Sequence, residues 1–229
     1  MSKDAADQGV AALEARSLYR FFRAGEEETL ALQGVSLCLE PGDFVAVVGP
    51  SGSGKSTLLS CLAGTDEPDG GTVRVAGQRL SHQPEPVRAR MRARQVGLLF
   101  QSGNLLGHLT VAQNIALAQR LADNAHRTAM DTLLGSLGIG ARAQSYPNQL
   151  SGGELARAGL AVALANDPVV LLADEPTGEL DLGTERGVLD LLTERARSGV
   201  AILVASHSPA VAAAADRVVT LADGRIVLQ

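Results

Sequence analysis

Lys55 is placed to neutralise phosphate charge. It closes the run Gly49-Pro50-Ser51-Gly52-Ser53-Gly54-Lys55, which with Ser56 fits the spacing G-x-x-x-x-G-K-[ST] and is followed by Thr57. Glycines at 49, 52 and 54 open backbone angles closed to other residues and let N–H groups converge on phosphate oxygens. A helix that begins at Lys55 adds its positive end, the lysine reaches β- and γ-phosphates, and the Ser56 hydroxyl is a ligand for Mg²⁺. The site is one for a nucleotide. The loop alone leaves kinase, GTPase and transport ATPase open.

A second acidic position decides the chemistry. The apolar run 169–173 ends in Asp174 and Glu175. At the carboxyl end of a parallel strand, Asp174 faces the metal held by Ser56, and Glu175 polarises an attacking water as general base.

These residues need elements to hold them. Residues 44–48, FVAVV, read as a strand buried on both faces, and the stretch after Lys55 reads as an amphipathic helix. Residues 12–18 and 32–39 alternate as half-buried strands, with Tyr19-Arg20-Phe21-Phe22 expected between them. The chain has four Phe, two Tyr and no Trp, so this cluster stands out as either an adenine-stacking surface or the cover of a sheet edge. Residues 67–71 read as a turn, 72–75 and 96–100 as strands, and the Arg88-Arg90-Arg92-Arg94 stretch as a solvated face. Helices are expected over 111–121, 126–137 and from Ser151 to Ala165, with no strand between them, which suggests a helical lobe inserted in an α/β core. Strand and helix then alternate over 169–173, 185–197, 200–205 and 210–215. A closing hairpin spans 217–228, turning at Ala222-Asp223-Gly224.

The 229 residues carry a net charge of −5 and a pI of about 5.4, which argues against a nucleic-acid binder. No apolar run approaches the roughly 18 residues needed to cross a bilayer, so no direct membrane insertion is expected. The start, MSKDAADQGV, lacks a secretory pattern, and residues 1–10 read as a disordered leader to a cytoplasmic protein. Cys38 and Cys61 are expected as reduced core residues.

From about Ala12 onward the chain resembles the ATP-binding-cassette ATPases. Leu150-Ser151-Gly152-Gly153-Glu154 is similar to the family's signature motif and precedes the acidic strand. Gln101, Gly178-Glu179-Leu180-Asp181 and His207 match its Q-loop, D-loop and switch histidine in order. The resemblance implies an α/β fold: a P-loop NTPase core with mixed sheet, an N-terminal antiparallel β subdomain and an α-helical subdomain at about 102–165, within one domain at 11–229. It implies ATP and Mg²⁺ as cofactors, with Ser56, Gln101 and Asp174 at the metal and Glu175, His207 and Gln101 at the attacking water. Phe22 becomes the adenine-stacking position, with Tyr19 as runner-up. Ser151, Gly152, Gly153 and Glu154 would meet the γ-phosphate held by a second cassette, an identical copy.

The closer resemblance is to the lipoprotein-release, macrolide-efflux, antimicrobial-peptide-resistance and cell-division branch. It implies integral membrane permease subunits as partners at the inner face of the membrane, docked near residues 101–108. A soluble ABC ATPase acting on nucleic acid or ribosomes is the alternative, and a small-molecule kinase a third reading. The chain departs from the family at Glu154 for the commoner Gln, Val162 for Arg and Ser208 for Asp, so a helical-lobe ion pair is expected to be missing; the general base, the metal ligands and Lys55 all remain, so an active if slow ATPase is expected.

Overall fold

The computed structural model describes residues 10–24, 27–101, 104–122, 128–178 and 180–228. Strands β1 (Leu13–Ala24) and β2 (Glu27–Leu39) pair antiparallel. With β4 (Gly70–Val75) and β5 (Gln78–Arg79) they form an antiparallel sheet in the order β2-β1-β4-β5. The second sheet contains β3 (Phe44–Val48), β6 (Val96–Leu99), β7 (Val170–Asp174), β8 (Ala201–Ala205), β9 (Arg217–Ala222) and β10 (Arg225–Leu228). Its order is β10-β9-β3-β8-β7-β6. Five of these strands run parallel and the β9–β10 hairpin closes the edge antiparallel, so the sheet is mixed. The α/β expectation holds.

Strand alternation divides the core into two layers. Val45, Val47, Leu172 and Leu203 face α1 (Lys55–Ala63) and the smaller sheet. Phe44, Ala46, Leu171 and Ile202 face α3 (Val111–Ala122), α5 (Gly152–Leu164) and α6 (Leu182–Arg197). Each such Leu, Val, Ile or Phe contributes about 1.5–3 kcal/mol by leaving water. The central strands read as unbroken apolar runs because both faces are covered. Helices α3, α4 (Met130–Ser136) and α5 follow one another between β6 and β7. Helices α2 (Glu85–Gln95) and α7 (Pro209–Ala214) complete the set.

Three expectations are corrected. The aromatic cluster lies inside β1, not between strands; register shifts at Ala15/Leu18, Leu18/Tyr19 and Arg20/Phe21 break the alternation that would have shown the full strand. The arginine stretch is helix α2, and it is not simply solvated. Arg88 and Arg92 both reach Glu85, at 2.7 and 2.6 Å; Arg88 also pairs with Glu67, and Arg92 donates to the Gly64 carbonyl. Cys38 is exposed, on the opposite face of β2 from buried Leu37 and Leu39. Cys61 is buried as expected, and burial pushes its thiol up to about 12. The leader at 1–9, the start of the helix expected at His126, and Glu179 lie outside the described residues.

Candidate functional site

The phosphate loop is built where only glycine fits. A Cβ at Gly49 would stand 2.1 Å from the Leu221 carbonyl oxygen, and one at Gly54 2.5 Å from that of Ala31. Gly54 has φ +102° and precedes α1, which starts with no side-chain cap and no acidic residue in its first turn. Its leading N–H groups are therefore left for a ligand. Lys55 Nζ curls back over the loop, donating to the carbonyls of Gly49 (2.8 Å) and Pro50 (3.0 Å). Beneath it the Ser53 hydroxyl is buried, 3 % exposed, and makes no hydrogen bond.

The acidic strand tip is equally constrained. Asp174 ends β7, and Glu175 follows with φ +46°, a left-handed conformation that costs a side-chain-bearing residue roughly 1–3 kcal/mol. The hydrogen bond from Glu175 N to the Ala205 carbonyl (2.9 Å) holds it there. Glu175 Oε2 accepts from Ser206 Oγ at 2.8 Å, and Oε1 lies 2.7 Å from His207 Nδ1. Ser206 is 1 % exposed and its oxygen accepts from Ser208 N at 3.1 Å. Ser208 Oγ and Thr177 Oγ1 both donate to Glu185 Oε1, at 2.7 and 3.0 Å. Helix α6 thus ties the turn after Asp174 to the loop carrying His207.

One cleft of about 620 Å³ gathers Phe22, Lys55, Ser56, Gln101, Asp174, Glu175 and His207, together with Ser51, Gly52, Gly54 and Thr57. Gly49, Pro50 and Ser53 do not line it; the carbonyls of the first two hold Lys55. Local reading missed Thr29, Gln33 and Asp223, which also line the cleft. The Asp223-Gly224 turn was visible as a turn, but its position depends on Gly224 N donating to Ser53 O (3.0 Å) and Gln33 N to Gly224 O (2.8 Å). Such tertiary pairings leave no local pattern. Ser206 was missed for the same reason.

Ser151, Gly152, Gly153 and Glu154 lie outside this cleft, at the start of α5, with Ser151 and Gly152 exposed. Here the helix caps itself. Ser151 Oγ accepts from Glu154 N at 3.3 Å, while Glu154 Oε2 accepts from Ser151 N at 2.9 Å and from Ser151 Oγ at 3.0 Å. Glu154 Oε1 takes Arg142 Nε at 2.7 Å. The Ser151 backbone N–H, then Arg142 and the Ser151 hydroxyl, hold the Glu154 carboxyl down to about 2. Asp181 caps α6 through Gly183 N and Thr184 N, and its pKa is lowered chiefly by the Thr184 hydroxyl.

The chain matches the ABC transporter family over residues 32–178. It is 44 % identical over 223 residues to the lipoprotein-releasing system ATP-binding protein LolD of Gluconobacter oxydans, covering 96 % of both chains. It is 42 % identical over 218 residues to the macrolide export ATP-binding/permease protein MacB of Hyphomonas neptunium, covering 94 % of this chain and 34 % of that one. It thus spans about a third of the length of the macrolide export relative. The fold superposes on the dimeric, post-hydrolysis ATP-binding cassette MJ0796 bound to ADP and Pi with a TM-score of 0.86 and 31 % identity, over 94 % of this chain and 97 % of that one. With a phosphate loop, an acidic strand tip and a histidine on one cleft, the chain belongs to the ABC transporter family, as an ATP-binding subunit that hydrolyses ATP.

Proposed function

We propose that the chain energises a separate integral membrane permease by ATP-driven closure of two identical cassettes, in export or mechanotransmission. The observation that carries this reading is the single cleft shared by Lys55, Ser56, Asp174, Glu175 and His207. Phe22 stacks the adenine, the loop N–H groups and Lys55 hold the phosphates, and Ser151 to Glu154 of the second copy close over the γ-phosphate. Glu175 takes the proton of the attacking water and His207 aligns that water and the phosphate. Both Glu175 oxygens already carry a partner, but a carboxylate has about four acceptor positions, so the water binds without displacing Ser206 or His207.

The donor set fits Mg²⁺. Ser56, Gln101 and Asp174 offer the oxygen ligands this ion selects. Among the described residues no group of three or more His, Cys, Asp or Glu is placed to hold a metal, which suits an ion completed by nucleotide phosphates. Bound there, Mg²⁺ would neutralise charge on the β- and γ-phosphates.

Residues 102–165 form the inserted helical subdomain in this reading, and the permease docks on it. A recess of about 240 Å³ beside Gln101 is lined by Phe100, Leu105 and Leu155, and Leu106 nearby is 46 % exposed. No helix among the described residues is long and apolar enough to cross a membrane, so attachment to the inner face of the cell membrane runs through the permease. The relatives' names, lipoprotein release and macrolide export, support a transport role of this kind. The test is cross-linking in isolated membranes, using Leu106→Cys in a chain whose exposed Cys38 is replaced by Ser. An adduct with an integral membrane protein is expected; its absence under conditions that support ATP turnover contradicts the proposal.

A further inference from the structure

The Arg20 guanidinium carbon lies 4.8 Å from the centroid of the Phe22 ring. Both residues lie on β1, on either side of Phe21, and this contact brings their side chains together. Arg20 is itself tightly held. Nε and Nη2 donate to the two oxygens of Asp66 at 2.8 Å each, and Nη1 to Asp69 Oδ2 at 3.0 Å. Asp69 Oδ2 also accepts from Phe21 N at 2.8 Å, and Asp69 N donates to the Tyr19 carbonyl at 2.9 Å. The turn is therefore bonded to β1 on both sides of Arg20. Burial works against the Arg20 charge, but hydrogen bonds to Asp66 and Asp69 outweigh it and raise its pKa.

Phe22 is a wall of the nucleotide cleft and is 43 % exposed, whereas Arg20 does not line it. The ring thus carries a cation over it and still contributes exposed surface to the cleft wall. We propose that Arg20 is a positioning residue for the adenine: it holds Phe22 as a one-sided stacking platform. Attraction between the guanidinium and the ring's negative face fixes the ring before nucleotide arrives, so stacking need not order it. Asp66 and Asp69 add a second consequence. They follow Gly64, the C-cap of α1, the helix whose other end lies at the phosphate loop. The base and phosphate subsites are thereby joined through one helix and one turn. This inference rests on the reading of Phe22 as the adenine-stacking residue.

The experiment is equilibrium titration of the full chain, carrying Glu175→Gln to prevent turnover, with ATP and separately with inorganic tripolyphosphate, which presents phosphates without a base. Arg20→Ala is expected to weaken ATP about three- to tenfold, the span set by ordering one aromatic side chain, and to leave tripolyphosphate unchanged. Phe22→Ala should weaken ATP alone as well, and the double variant should be no weaker than Phe22→Ala. Asp66→Asn, which loosens the guanidinium without removing it, should shift ATP selectively in the same direction. Unchanged ATP affinity in Arg20→Ala, equal loss on both probes, or additive losses in the double variant overturn the proposal. If Phe22→Ala has no effect, the adenine reading itself falls. If it weakens ATP and Arg20→Ala does not, only the role of Arg20 falls.

Discussion

Helices α1 and α5 both begin in glycine-containing turns and treat their leading N–H groups in opposite ways. The start of α1 has a left-handed Gly54 and neither a side-chain cap nor a first-turn carboxylate. Its charged group, Lys55, is parked on two carbonyls of its own loop. The start of α5 is filled by the chain itself, with Glu154 seated on the Ser151 N–H and hydroxyl and countered by Arg142. The helix dipole favours negative charge at both places. One end leaves that position for an incoming anion; the other occupies it with its own carboxylate. In the proposed cycle Lys55 needs only to swing onto phosphate, whereas Ser151 must exchange Glu154 for a phosphate carried by another molecule.

The largest effect that sharpens this contrast belongs to α1. Lys55→Ala should weaken ATP binding about 10- to 100-fold, the value of hydrogen bonds to a charged group, measured by titration of the purified chain. Unchanged affinity would mean that α1 is not the end that takes the phosphates. Next comes Ser151→Ala. Losing the cap should cost about 1 kcal/mol, lowering the melting temperature by about 2–4 °C in a chain of this size, and turnover should fall while ATP affinity of the isolated chain stays the same. Equal loss of ATP affinity would erase the distinction between the two helix starts.

The smallest effect is a pH dependence. The folded Glu154 carboxyl titrates at about 2, below its ordinary 4.5, so its contribution to stability is fully present above 4.5 and is lost as pH falls toward 2. The melting-temperature gap between the native chain and Glu154→Gln should therefore be constant from pH 7 to 5 and change below 4.5. A gap flat down to pH 2.5 would show that the carboxylate does not cap α5.

What could be read before the fold was seen follows the range of the interactions involved. The strand, glycine loop and helix at 44–63 and the acids at 174–175 are local, and each carries its pattern within a few residues. Helix α2 was harder: its arginines look solvated until Glu67 and the Gly64 carbonyl, both from the turn after α1, are brought against them. Cys38 was misplaced because apolar neighbours in sequence lie on the other face of a strand. The cleft's far wall, Gln33 and Asp223, comes together across 190 residues through Gln33 Nε2 and the Asp223 carbonyl, at 2.8 Å. No spacing rule reaches that far.

The central claim is that one chain's cleft and a second chain's α5 start enclose the same ATP, with Glu175 completing hydrolysis. Light scattering of the Glu175→Gln chain with and without ATP tests it most directly. The account predicts a monomer without nucleotide and a doubled mass with ATP, lost again when Ser151→Ala is added. A monomer at saturating ATP, or a dimer that forms equally well without it, contradicts the account.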